Sequence, residues 1–243
     1  MNLGLLGKNI SYSFSQNYFS QKFKTLGLDG YTYQIFDIQD KKDISTLFEM
    51  EELNGFNITI PYKQEIIKYL DELSPEAEKI GAVNTVKISG NKKTGYNTDA
   101  VGFKNSLIPL LKPHHTSALI LGSGGASKAV AYVLNSLQID YLVVSRTGNT
   151  NYDLLDQKIL DNHPLIINTT PVGTFPNIEH MPSVPFEHFT PEHLVYDLIY
   201  NPEETRLLTA ARNKGAQIKN GLEMLHLQAE AAWDIWNSGF IAE

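Results

Sequence analysis

The chain has 243 residues, with 20 Lys and Arg against 27 Asp and Glu, a formal net charge of -7 and no cysteine. This length allows one large domain or two modest ones, and 42% hydrophobic with 19% charged residues is a globular composition rather than a disordered one. The missing cysteine excludes disulfides, a thiolate nucleophile, Cys-ligated zinc and Fe–S clusters, and the acidic balance excludes a broad nucleic-acid-binding face.

No apolar run approaches the ~18 residues needed to span a bilayer. The opening Met1–Lys8 has no basic segment ahead of a long apolar stretch, so no secretory leader is expected. These readings predict a soluble, cytoplasmic protein that acts on a small molecule, with neither nucleic acid nor membrane as partner; a monomer or homodimer is expected, without a sequence feature that decides between them.

Along the chain, short apolar runs alternate with helix-like stretches, which predicts an α/β protein. Leu3–Leu6 reads as a strand, Gln16–Leu26 as an amphipathic helix, and Tyr33–Phe36 and Gly55–Ile60 as further strands. Lys63–Leu70 reads as a short helix. Asp99 is placed to N-cap a helix over Ala100–Leu111, and the polar stretch up to Ser117 reads as a loop. A new unit then begins: strand Ala118–Leu121, a glycine-rich turn, helix Gly125–Leu137 and strand Tyr141–Ser145. Pro164–Ile167 and Leu194–Leu198 continue the strand series, and Leu222–Trp236 reads as a closing helix. The fold expected is two α/β domains flanking a cleft, the second of Rossmann type, with the ligand between them.

Two features of the second half point to a dinucleotide. Gly122, Ser123, Gly124, Gly125 and Ala126 join a strand to a helix, where glycines admit a tight turn and let backbone N–H groups approach a pyrophosphate. The third glycine of the full fingerprint is replaced by Ser127. Instead of an acidic residue for a ribose hydroxyl, the next strand ends in Ser145, Arg146 and Thr147, a guanidinium with hydroxyls suited to a 2′-phosphate. That combination favours NADP(H) over NAD as cofactor; no metal is expected.

In the first half, strand alternation places Asn57 and Thr59 on one face, Pro61 ends the strand, and Lys63 sits at the start of the next helix. A cation there opposes the helix dipole, so Lys63 is easier to understand as serving a ligand or a carboxylate. Asn84 with Thr85, Asn97 with Asp99, and the serines Ser13 and Ser15 add amides and hydroxyls, each of which alone would pass for a turn or cap.

Taken together and in order, these segments resemble the shikimate dehydrogenase family along essentially the whole chain. The matches are Gly55–Lys63, Gly81–Thr85, Gly95–Asp99, Gly122–Ala126 with Ser145–Thr147, Asn168–Gly173, Tyr196–Tyr200 and Gly221–Gln228. The resemblance implies NADPH-dependent, reversible reduction of 3-dehydroshikimate to shikimate, with Lys63 and Asp99 as the catalytic pair. It implies Ser13, Ser15, Asn57, Thr59, Asn84, Asp99 and Gln228 as substrate ligands, with Tyr200 closing on the substrate. It also implies cofactor contacts from the glycine turn, from Ser145, Arg146 and Thr147, from Thr169, Thr170, Pro171 and Leu198, and from Gly221 and Met224.

The implied domains are 1–100 with 221–243 for substrate and catalysis, and 101–220 for NADP. The chain departs from the family at Asn9, Tyr12 and Gln16, where Pro, His and Pro are usual, and at Ser145, where Asn is usual. No second arginine follows Arg146. The rival readings are a quinate/shikimate dehydrogenase using NAD and a non-catalytic NADP-binding relative.

Overall fold

A computed structural model describes residues 1–10, 13–146, 148 and 150–238. The expected cofactor residue Thr147 lies outside them. The chain forms two compact units: residues 1–98 with the chain from Ala229 onward, and Asp99–Gln228.

The first unit is built on a six-stranded sheet. Its strands are β1 (Asn2–Gly7), β2 (Thr32–Asp37), β3 (Leu53–Ile58), β4 (Glu72–Leu73), β5 (Thr85–Ser89) and β6 (Lys92–Tyr96), in the order β2-β1-β3-β5-β6-β4. β1 runs parallel to β2 and β3, whereas β5 is antiparallel to both β3 and β6. The β5–β6 hairpin turns at Gly90, whose φ of 58° is in the left-handed region.

Alternation sorts the strand residues to two faces. Leu3, Leu5 and Tyr33 meet Phe19 and Phe23 of helix α1 (Phe14–Thr25), together with Ala229, Ala232 and Trp236. Leu6, Phe36, Phe56, Ile58 and Val86 face the other way. There they meet a 3-10 segment (Lys41–Glu49), a second one (Glu65–Tyr69), and Ala77 of helix α2 (Pro75–Ile80). Asn57 lies between Phe56 and Ile58, and so on the face of Tyr33 and Trp236.

The second unit starts within helix α3 (Thr98–Leu107), at Asp99, and holds a five-stranded sheet of β7 (Ser117–Leu121), β8 (Asp140–Val144), β9 (Leu165–Asn168), β10 (Leu194–Asp197) and β11 (Gln217–Lys219). All neighbours are parallel, in the order β11-β10-β9-β7-β8. Helices α4 (Gly125–Ser136), α5 (Gln157–Asn162) and α6 (Arg206–Asn213) connect them, and α7 (Leu222–Asn237) follows. Leu119, Leu121, Ile166 and Val195 pack on Leu160 of α5 and on Leu207, Leu208 and Ala211 of α6. On the opposite face Tyr196 meets Phe103 of α3 edge-on at 5.2 Å. Strands buried on both faces explain the continuous apolar runs Ala118–Leu121 and Leu165–Ile167.

Three expectations need correction. The strand predicted to reach Ile60 ends at Ile58, because Pro61 has no N–H to continue the ladder. The helix predicted over Lys63–Leu70 is a turn followed by the five-residue 3-10 helix Glu65–Tyr69, too short for a strong dipole, so the electrostatic argument about Lys63 falls away. Asp99 is not an N-cap: α3 begins at Thr98 and Asp99 lies within its first turn, where a carboxylate suits the dipole.

Candidate functional site

In the first unit the predicted residues converge through a chain of hydrogen bonds whose directions can be deduced. The carbonyl of Asn84 can only accept, so the Asn57 amide presents Nδ2 to it, at 3.3 Å, and to Thr85 Oγ1 at 3.0 Å. Asn57 Oδ1 is thereby turned to Tyr33, whose hydroxyl donates to it at 2.8 Å. Burial pushes the Tyr33 phenol up, so it stays neutral in this role. Ser15 is fixed by the start of α1: its N–H donates to Ser13 Oγ, the cap of that helix, at 3.2 Å.

From Asn84 the chain runs on to the beginning of α3. Asn84 Oδ1 accepts from Thr98 N–H at 2.7 Å, and Asn84 Nδ2 donates to Thr98 Oγ1 at 2.9 Å. Asp99, which follows directly, is 7% exposed and is held by the neighbour that Asn84 clamps. Thr59 continues the β1–β3 pairing through its N–H to Leu6 O at 2.8 Å, although it lies beyond the strand. Lys63 is half-buried, and its carbonyl accepts from Val83 N–H at 2.7 Å, which ties it to the segment carrying Asn84. Ser13, Ser15, Asn57, Thr59, Lys63 and Asn84 all belong to this unit. Asp99, Tyr200 and Gln228 fall in the other.

In the second unit, β7 has β8 on one side and β9 on the other, so the chain leaves the sheet in opposite directions from this point. Open parallel sheets bind ligands at the carboxyl ends of the strands flanking such a reversal. The turn after β7 is Gly122–Gly124. Gly122 has φ of 109°, and a Cβ there would lie 2.7 Å from Thr169 Oγ1 in the loop after β9. Thr169 closes the pair of loops by donating its hydroxyl to Leu121 O at 2.7 Å. Gly124 caps α4 with no side-chain hydrogen bond to the first turn, and the space where its Cβ would be is open. The leading N–H groups of α4 therefore face a region into which backbone, not side chain, projects.

The turn after β8 is tight: Ser145 N–H donates to Thr150 O at 3.0 Å, and Ser145 itself is buried. Arg146 is exposed, and its charge acts on the Tyr152 phenol, which burial raises overall. The loop after β9 is shaped by Asn168, whose Oδ1 accepts from Thr170 N–H at 3.0 Å and from the Thr170 hydroxyl at 2.7 Å. Pro171 follows, exposed. Past β10, Leu198 O lies where a Cβ on Gly221 would sit, so only glycine allows this approach of the chain entering α7. Met224 is buried one turn later, and Gln228 donates to Leu225 O of its own helix at 3.0 Å. Tyr200 is 39% exposed.

Several residues that organise these sites carried no separate sequence signal: Tyr33, Thr98 and Asn168. Asp197 did carry one, since an aspartate inside the apolar run Leu194–Ile199 must be buried and paired. Among the described residues there is no group of three or more His, Asp or Glu side chains able to hold a metal, and no helix long and apolar enough to cross a membrane.

Residues 5–86 match the family model described as the shikimate dehydrogenase substrate binding domain. The chain is 40% identical to the shikimate dehydrogenase (NADP(+)) of Methanococcus maripaludis, over 96% of this chain and 91% of that one. Among solved structures, it superposes on shikimate 5-dehydrogenase from Thermus thermophilus in complex with NADP(H) and shikimate. The TM-score is 0.87 with 32% identity, covering 98% of this chain and 94% of that one. It also superposes on quinate dehydrogenase from Corynebacterium glutamicum in complex with NAD, with a TM-score of 0.86 and 27% identity, over 98% and 94% of the two chains.

Proposed function

The chain belongs to the shikimate dehydrogenase family, and from that premise we propose that it reduces 3-dehydroshikimate reversibly to shikimate with NADPH, as a cytoplasmic monomer or homodimer. The carrying observation is the 40% identity, across nearly the whole chain, to a shikimate dehydrogenase (NADP(+)). The closer likeness to that enzyme than to the NAD-bound quinate dehydrogenase, at 27%, favours shikimate over quinate.

The second unit fits the cofactor on its own geometry. The uncapped start of α4, the left-handed Gly122 and the open space at Gly124 suit a pyrophosphate held by backbone N–H groups. Arg146 supplies the cation for a 2′-phosphate, with Ser145 and Thr147 beside it. Thr169, Thr170, Pro171, Leu198, Gly221 and Met224 are assigned to the remainder of the cofactor. NADPH, when bound, supplies the hydride.

Lys63 and Asp99 are the catalytic pair. As hydride reaches the ketone carbon, negative charge builds on its oxygen, and the Lys63 ammonium donates the proton that neutralises it. The Asp99 carboxylate orients that ammonium; in the oxidation direction the neutral lysine accepts the proton from the hydroxyl. Ser13 and Ser15 take the substrate carboxylate, and Asn57, Thr59, Asn84, Tyr200 and Gln228 serve the ring and its hydroxyls. A site built to pair hydroxyls rejects analogues that lack them much more strongly than an apolar pocket does. Retention of both Lys63 and Asp99 favours an enzyme over a binding-only relative.

The decisive test is spectrophotometric: purified protein with shikimate or quinate, against NADP or NAD. Turnover is expected with shikimate and NADP. Dominant activity with quinate and NAD overturns the substrate assignment, and no turnover with any combination overturns the enzyme.

A further inference from the structure

Asp197, the last residue of β10, is fully buried, and no part of the chemistry above uses it. Its two oxygens are committed to three separate pieces of chain. Oδ1 accepts from Asn168 Nδ2 at 2.9 Å and from Ile199 N–H at 3.1 Å; Oδ2 accepts from the Thr205 hydroxyl at 2.6 Å. Every one of these partners sits at the edge of a loop that carries assigned cofactor or substrate residues.

The direction of each bond follows from the carboxylate, which can only accept. Because Asn168 must give its Nδ2 to Asp197, its Oδ1 is left facing along the chain, where Thr170 donates to it twice. Those two hydrogen bonds bend Thr169–Pro171 into its loop. A flipped Asn168 amide would set Oδ1 against the carboxylate and Nδ2 against two donors, so Asp197 admits one orientation only. On its other side Asp197 holds Ile199 N–H, which fixes the turn through Leu198 toward Tyr200. The Thr205 hydroxyl it holds also accepts from Leu208 N–H at 3.4 Å, capping α6. One carboxylate thus sets two loops at neighbouring strand ends.

We propose that Asp197 is a positioning residue for the cofactor, fixing through the Asn168 amide the loop Thr169–Pro171 and through Ile199 N–H the turn at Leu198. The proposal rests on the reading of this unit as the NADP site. It predicts a selective defect: the loops lose their set while the strands, buried on both faces, keep theirs.

The test is calorimetric titration of NADP, and separately of shikimate, into wild-type protein and the variants Asp197→Ala, Asp197→Asn and Asn168→Ala. Removing a buried hydrogen-bonded acceptor is expected to weaken NADP binding about tenfold or more in Asp197→Ala, with shikimate binding within about twofold of wild type. Asp197→Asn is expected to recover most of the loss, since its Oδ1 can serve Asn168 and Ile199 while Thr205 rotates to accept from its amide. Asn168→Ala is expected to reproduce the loss, and adding it to Asp197→Ala to weaken NADP little further.

Equal weakening of both ligands, with a matching fall in melting temperature and no recovery in Asp197→Asn, makes Asp197 a structural residue and overturns the proposal. Unchanged NADP binding in a folded Asp197→Ala or Asp197→Asn protein overturns it too. Failure of the wild-type protein to bind NADP overturns instead the cofactor reading on which it stands.

Discussion

The two units arrange their polar groups by opposite means. In residues 1–98 the network Tyr33–Asn57–Asn84–Thr98 is neutral throughout, built from hydroxyls and amides around a mixed sheet. In Asp99–Gln228 the corresponding hub is a single buried carboxylate, and the start of α4 presents backbone N–H donors behind glycines on an all-parallel sheet. Neutral networks can be read by a ligand that both donates and accepts, as a polyol does. Bare N–H groups at a helix start suit an anion and little else. The difference lies in the kind of polar group each framework presents, which the net charge of -7 for the whole chain does not reveal.

The contrast can be broken first at the reaction itself. Lys63→Ala is expected to lower kcat by about 10²–10⁴-fold, the usual contribution of a positioned acid or base, while shikimate binding shifts only several-fold; steady-state kinetics beside a binding titration checks both. Wild-type turnover in this variant would remove Lys63 from catalysis. Gly122→Ala comes next. It forces a side chain into a left-handed backbone and against Thr169 Oγ1, so a stability loss of about 1–3 kcal/mol with weakened NADP binding is expected from denaturant titration and calorimetry. Shikimate binding should hardly move, because the change is confined to the anion-binding framework.

Arg146→Ala sharpens the same contrast within the cofactor. Loss of one exposed charge-assisted contact is expected to weaken NADP about tenfold and to leave NAD nearly unchanged, measured as the ratio of KM values. Equal losses for the two cofactors would mean that Arg146 does not read the 2′-phosphate.

The smallest effect concerns pH. Burial raises Asp197 to about 6, against three hydrogen bonds that pull it down. A raised carboxylate binds its proton more tightly folded than unfolded. Its contribution to stability is therefore full below pH ~4 and is lost as pH rises through about 6. Melting temperatures taken from pH 4 to 7 should fall more steeply in wild type than in Asp197→Asn, and parallel curves would show that Asp197 does not titrate there.

Much of this architecture could be read from the chain because burial on both faces writes itself as apolar runs: Leu3–Leu6 and Ala118–Leu121 fall wholly on strands, and Leu194–Leu198 does so up to Asp197. β6 escaped, since Lys92-Lys93-Thr94-Gly95-Tyr96 lies near the edge of its sheet and carries polar residues, though Gly90-Asn91 between two extended stretches is a hairpin signal. α2 also had its signals, Ser74 as cap, Pro75 at the first position and Gly81 past the end, but only six residues of helix between them. The residues placed by likeness to a family, such as Lys63 and Asp99, were visible one by one. Tyr33 and Asn168 were not, because their roles exist only in the direction of hydrogen bonds made across strands far apart in the chain.

The aromatic face of the first sheet has a bearing on how the protein is made. Leu3, Phe19, Phe23 and Tyr33 are covered by Ala229, Ala232 and Trp236, and the Trp236 indole donates to Val86 O at 2.9 Å over Gly55. That cover is contributed from about 130 residues beyond Thr98, so this side of the sheet has only α1 packed on it while the whole of Asp99–Gln228 is synthesised. The continuous unit is free to fold on emergence; the discontinuous one cannot finish until its lid of alanines and tryptophan has left the ribosome. A nascent chain halted before Ala229 would hold all of Asp99–Gln228 joined to a sheet that still lacks the Ala229, Ala232 and Trp236 part of its cover, so the final turns of α7 complete the first unit last.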